Sequence, residues 1–207
     1  MNITDKEIIR TGIFGGSFNP IHKSHLALCA YAKIALRLNR IILIPTGGNP
    51  MKGEGGVSRS DRLNMTRLAA KNLSGYEVSD IEIKRPGESY TVDTLNELEK
   101  AENEVFYFIS GSDILMQLAN WKHFYELTKL TNFAVVQRKE VDNTRYLQEA
   151  ERLNNIFGAK IYLLEDYMPK DISSTKVRRG LQNGEDVEDM LPKKVYEYII
   201  KNKLYQQ

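Results

Sequence analysis

Two of the chain's three histidines lie three residues apart in GIFGGSFNPIHKSHL, residues 12–26, directly after a pair of glycines. At i, i+3, His22 and His25 can face the same side of a helix start. Imidazoles donate hydrogen bonds to phosphate oxygens, and more strongly when protonated. Gly15 and Gly16 let a backbone turn and come close to a ligand. The first turn of a following helix adds free N–H groups and a positive dipole end. These residue types in this order point to phosphate binding. A structural turn that carries two surface histidines is the competing reading. The spacing matches neither G-x-G-x-x-G nor a Walker loop, so a dinucleotide fingerprint and a P-loop are not indicated. A structural zinc site lacks its further ligands, and a serine hydrolase lacks its G-x-S-x-G elbow.

The chain that must position these groups has 207 residues, 42% apolar and 27% charged, with a net charge of +2. That is ordinary for a soluble globular domain with one sizeable core. It carries no broad basic footprint of the kind a duplex-DNA binder needs. The single cysteine, Cys29, can form neither an intramolecular disulfide nor a Cys-x-x-Cys metal site, which suits a reducing cytoplasmic setting. No apolar run approaches the roughly 18–20 residues of a membrane span, and the N-terminus has no apolar h-region.

Strand and helix patterns alternate along the chain. RTGIFGG reads as a strand entering a tight loop, and residues 24–38 as an amphipathic helix with Leu26, Ala30, Ile34 and Leu38 on its apolar face. RIILIP, 40–45, has the continuous β-branched character of a strand buried on both faces. A Gly-rich loop at 46–57 precedes a helix over 58–73 that opens with Ser58 as N-cap. The pattern predicts further strands near 76–83 and at 104–110, 132–138 and 159–165. It predicts helices over 91–102 and 145–158, two short helices within 112–130, and two closing helices that start near Ser173 and Pro192. This order predicts βαβ units: an α/β, doubly wound, mostly parallel sheet with helices on both faces. Residues 1–207 read as one domain, with 171–207 a C-terminal helical segment. In such sheets ligands bind at the carboxyl ends of the strands, beside the switch in strand order. The first strand–helix loop, with its histidines, is then the place to look. Ser173, Ser174 and Thr175 in DISSTKVRRG would stand at a helix start, with Arg178 four residues after Ser174 on the same face. A plain N-cap is the alternative for that stretch.

GGSFNPIHKSHL, 15–26, resembles the GG-T/S-F-D/N-P-x-H-x-G-H signature of the H-x-G-H nucleotidyltransferases, and DISSTKVRRG resembles their second signature, I-S-S-T-x-x-R. RPGESYTVDTLNEL (85–98), FISGSDILMQLANWKHFYEL (108–127), FAVVQRKE (133–140) and LPKKVYEYIIKNKLY (191–205) are similar to bacterial nicotinate-nucleotide adenylyltransferases. The resemblance implies a Rossmann-like nucleotidyltransferase fold. It implies transfer of the adenylyl group of ATP to nicotinate mononucleotide, giving deamido-NAD and pyrophosphate in NAD biosynthesis, with Mg²⁺ carried by the ATP phosphates.

The resemblance also implies roles for individual residues. His22, His25 and Arg178 would hold the triphosphate as charge develops on the leaving pyrophosphate. Gly15, Gly16 and Ser17 would line the ATP site from the first loop, and Ile172, Ser173, Ser174 and Thr175 from the second signature. Gly111 and Asp113 would meet the adenosine ribose. Trp121 would stack on the pyridine ring, with Tyr90 and Thr91 near its carboxylate. Lys52 would contact the mononucleotide phosphate or ATP, and Arg138, at the end of its strand, would lie near the nucleotide rim on the mononucleotide side. Three positions depart from the pattern: Ser24 stands where the signature has glycine, and Asn49 and Met51 where the family's P-x-x-x-P-P-H-K loop has proline and histidine. They leave open a preference for nicotinamide mononucleotide, or a family member that binds nucleotide without turnover.

Overall fold

The computed structural model describes residues 7–47, 57–138, 143–167 and 171–206, with the backbone alone at 138, 143 and 166. The chain runs β1 (Ile9–Gly16), α1 (Lys23–Ala35), β2 (Arg40–Pro45), α2 (Arg59–Ala70), β3 (Tyr76–Val78), α3 (Ile81–Lys84), α4 (Thr91–Glu97) and β4 (Glu104–Gly111). It continues with α5 (Ser112–Leu115), α6 (Phe124–Leu130), β5 (Asn132–Arg138), α7 (Asn143–Phe157), β6 (Ile161–Tyr167), α8 (Ser174–Gln182) and α9 (Lys193–Lys201).

The six strands form one sheet in the order β3-β2-β1-β4-β5-β6, and every neighbouring pair is parallel. Because side chains alternate along a strand, the β-branched runs feed two cores at once. Phe14, Ile41, Leu43 and Ile109 pack on one face against Cys29, Met65, Val177 and Val195, from α1, α2, α8 and α9. Ile13, Ile42, Ile44 and Phe108 pack on the other against Val92, Leu115, Leu127 and Leu153, from α4, α5, α6 and α7. The strand order reverses between β1 and β4, so the carboxyl ends of these two strands open side by side.

Three expectations need correction. The buried face of α1 is not the Leu26–Ala30–Ile34–Leu38 stripe. Ile34 is 79% exposed, while the small Cys29 and Ala32 are fully buried and let the helix lie close on the sheet. Leu38 is buried, but beyond the helix end. The strand expected over 76–83 stops at Val78: the Ser79 N–H bonds Leu43 O at 3.0 Å, and the chain then turns into α3, where Lys84 N–H reaches Asp80 O at 3.0 Å. The helix expected over 91–102 ends at Glu97, because Leu98 turns to an extended conformation and packs into the second core. Among the described residues no helix is long and apolar enough to cross a membrane.

A polar network ties the amino ends of the central strands. Arg40 donates to Thr11 Oγ1 at 3.1 Å, to both oxygens of Glu77 at 3.1 Å and to Glu104 Oε1 at 2.8 Å, and Thr11 donates to the same Glu104 oxygen. Burial disfavours the Glu104 carboxylate, but the hydrogen bonds from Thr11, Arg40 and the Ala101 N–H outweigh it and hold Glu104 below the usual carboxylate range. Glu104→Gln should lower the unfolding free energy by about 1–3 kcal/mol. The check is a fall in the urea midpoint at constant m; an unshifted midpoint would mean that the network contributes no more than an exposed ion pair.

Candidate active site

The loop after β1 does not turn where the sequence pointed. Neither Gly15 nor Gly16 adopts positive φ; the left-handed residue is Phe18, at φ +44°. Such a conformation costs a bulky side chain about 1–3 kcal/mol. Its ring offsets this by complete burial, 5.5 Å from the Phe14 ring and edge-on to His25 at 5.3 Å. Gly16 is needed because a Cβ there would sit 2.8 Å from the Phe18 ring. A Cβ on Gly15 would meet nothing nearer than 3.9 Å, so the protein itself leaves space at that position.

His22 is the N-cap of α1 and His25 lies in its first turn. Their rings stack, with centroids 3.6 Å apart and 19° between planes. The His22 N–H donates to His25 Nδ1 at 3.2 Å. A neutral His25 therefore carries its proton on Nε2 and presents that edge as a donor. His22 is only 5% exposed, and its Nδ1 is buried without a well-formed hydrogen bond. Burial pushes His22 down to about 4. Burial, and then the neighbouring His22, push His25 well below the ordinary imidazole value. The expectation of donors strengthened by protonation is corrected for the free protein: at neutral pH this is a pair of neutral imidazoles.

The second signature docks on the same loop. Ser173 caps α8, accepting from Lys176 N–H at 3.2 Å. Ser174 Oγ donates to Pro20 O at 2.9 Å, and Arg178 donates to Asn19 O at 2.7 Å and to Thr175 Oγ1 at 3.3 Å. Thr175 is exposed at the start of α8, and Ile172 packs against the first core just before it. Ser17, half-buried at the loop's start, gives its carbonyl to Arg62 at 2.7 Å. Ser24, the departure between the histidines, is half-buried in the first turn of α1.

Gly111 and Asp113 sit where β4 passes into α5. Asp113 is exposed and folds back, so that a Cβ on Gly111 would lie 2.6 Å from its Oδ1. A second cluster forms on the α4–α6 face. Trp121 is half-buried and edge-on to Phe108 at 5.3 Å, and Tyr90 precedes Thr91 at the start of α4. Lys122 Nζ lies 4.0 Å from the centre of the Tyr90 ring and 3.9 Å from Asp93. Lys52 and Met51 lie outside the described residues. Arg138 is the last residue of β5, and its side chain is likewise outside them.

The sequence reading missed Arg62, Lys122 and Tyr205, whose Oη donates to Asn19 Oδ1 at 2.6 Å. Arg62 is only 6% exposed. Its one signal was an arginine on the apolar side of α2, beside Leu63 and Met65, and helical spacing alone gives such a residue no partner.

The buried imidazoles have a consequence for stability. A histidine with a depressed folded pKa takes up its proton more readily when unfolded, so the stability it contributes is complete above about pH 6.5 and falls as pH drops towards about 4. Urea midpoints should fall between pH 7 and 5, and His22→Asn should flatten that decline. An equally steep decline in the variant would place the acid sensitivity elsewhere.

A model of the cytidylyltransferase-like family matches residues 13–180. A relative from Clostridium acetobutylicum, named a probable nicotinate-nucleotide adenylyltransferase, is 36% identical over 198 residues, 95% of this chain and 98% of that one. One of the same name from Carboxydothermus hydrogenoformans is 38% identical with the same coverage. Among solved structures, the nicotinic acid mononucleotide adenylyltransferase of Plasmodium falciparum, complexed with NaAD, superposes with a TM-score of 0.72 at 25% identity, covering 95% of this chain and 97% of that one. The stacked histidines at the start of α1, the ISST helix docked on their loop and this full-length similarity agree: the chain belongs to the cytidylyltransferase-like nucleotidyltransferases, among the nicotinate-nucleotide adenylyltransferases.

Proposed function

We propose that the protein transfers the adenylyl group of ATP to nicotinate mononucleotide, releasing pyrophosphate and forming deamido-NAD for NAD biosynthesis in the cytoplasm. Residues 1–207 act as one domain, and the 171–207 segment closes the phosphate site. The observation that carries this reading is the convergence of His22, His25, Ser174 and Arg178 on one loop at the switch point of the sheet. The relatives' names supply the acceptor.

The chemistry requires few protein groups. The attacking phosphate, with a second pKa of about 6, is largely ionised near neutrality and needs no general base. Catalysis is then positioning and charge stabilisation around the α-phosphorus. His25 Nε2–H donates to a triphosphate oxygen while neutral, and a bound polyanion draws both imidazoles towards the protonated form. Arg178 exchanges a backbone carbonyl for phosphate oxygens, and Ser17, Ser173 and Thr175 offer hydroxyls beside the start of α8. Gly15 and Gly16 let the nucleotide approach β1, Ile172 borders it, and Gly111 and Asp113 meet the ribose. Trp121 stacks on the pyridine, Tyr90 and Thr91 lie by its carboxylate, and Lys52 and Arg138 contact the mononucleotide.

The gathered side chains are imidazoles, hydroxyls and arginines, which suit phosphate and not a hard cation. Mg²⁺ therefore fits as a passenger on the ATP phosphates, where it supplies neutralising charge for the leaving pyrophosphate.

With ATP and Mg²⁺, pyrophosphate release should be faster with nicotinate mononucleotide than with the nicotinamide form. The reverse order would reassign the acceptor, and release with neither would overturn the reading. His25→Ala should lower kcat on the order of 100-fold or more, as loss of a transition-state donor does, in a protein that still folds and unfolds cooperatively; an unaltered rate would remove His25 from the mechanism. Trp121→Ala should raise KM for the mononucleotide more than for ATP, and equal effects on both would argue against stacking.

A further inference from the structure

The loops that leave β1 and β2 are joined by one side chain that no part of the resemblance assigns. Arg62, in the second turn of α2, is 6% exposed. Its Nη1 donates to Ser17 O at 2.7 Å, and its Nη2 donates to Thr46 O at 2.7 Å and to Gly47 O at 3.3 Å. The guanidinium is planar, so these contacts fix three carbonyls from two strand ends in one rigid arrangement.

The placement has two effects. It turns the Ser17 carbonyl towards α2. It also places a buried cation directly against the loop proposed to receive a polyphosphate. Gly47 is locked as well, since a Cβ there would run into Glu82 O. Arg178 grips the other end of the loop, at Asn19 O, but it is half-buried and stands at the edge of the site. The buried arginine is thus the fixed support and the half-buried one is free to change partners.

We propose that Arg62 is a positioning residue: it sets the loop over Ser17–Asn19 against the end of β2, so that the phosphate-binding groups are in register before ATP arrives. This rests on the adenylyl-transfer reading, whose own test is pyrophosphate release by the wild-type protein. Misplacing reacting groups by about an ångström costs on the order of 100-fold in rate.

Arg62→Gln should therefore lower kcat by about 30- to 100-fold with KM for ATP changed less than about threefold. Arg62→Lys, which keeps the charge and can reach a carbonyl, should recover part of the loss. Amide hydrogen exchange at 17–19 and 46–47 should rise in Arg62→Gln, while β5 and β6 stay protected. Should Arg62→Gln fail to fold, Arg62→Lys is read by the same measurements and must show a lower kcat than wild type together with faster exchange at 17–19 and 46–47. A folded variant with kcat within twofold of wild type would overturn the proposal. So would a higher KM at constant kcat, or unchanged exchange in the loop. A wild type that releases no pyrophosphate would defeat the functional reading instead, and the exchange measurement would still judge whether Arg62 orders the loop.

Discussion

The site depends on how the backbone carbonyls between β1 and α1 are satisfied. These residues have left the sheet and have not yet entered a helix, so their buried polar groups need partners from elsewhere. Ser17 O takes Arg62, 45 residues away; Asn19 O takes Arg178, 159 residues away; Pro20 O takes Ser174, 154 residues away. Each donor replaces a bond the regular structures cannot supply. Together they fasten α2 and α8 to the loop that aims the histidines. The second signature is thus a structural brace for that loop.

The histidine pair shows how burial and function meet. Two stacked imidazoles in a site partly closed by Phe14 and Phe18 cannot both carry charge without an anion. Their neutrality avoids a repulsive pair of cations. An anion beside the rings would favour their protonated forms.

Much of the fold was legible in the residues. RIILIP and NFAVVQR coincide with β2 and β5, because strands buried on both faces must be apolar without alternation. Ser58 and Gly158 mark helix ends where caps are required, Ser58 by accepting from Asp61 N–H and Gly158 through its φ of +70°. The failures were local. Ile34 fits an apolar helical stripe yet faces outward, because packing against the sheet selected the small Cys29 and Ala32 instead. The strand expected over 76–83 was cut short because β3 lies at the sheet edge, where only β2 holds it.

By itself the sequence determined the residue types at the site and the order of elements that brings them to strand ends: GGSFNPIHKSH at the end of one strand and ISSTKVR at the start of one helix. Those follow from local chemistry and periodicity, which neighbouring residues carry. Tertiary structure alone decided the protonation of the histidines, since burial is a property of the packed molecule. It alone decided that Phe18 and not a glycine makes the turn, because only a filled core offsets that strain. It alone gave Arg62 its partners, since which carbonyls a buried arginine meets depends on which loops the sheet order sets side by side.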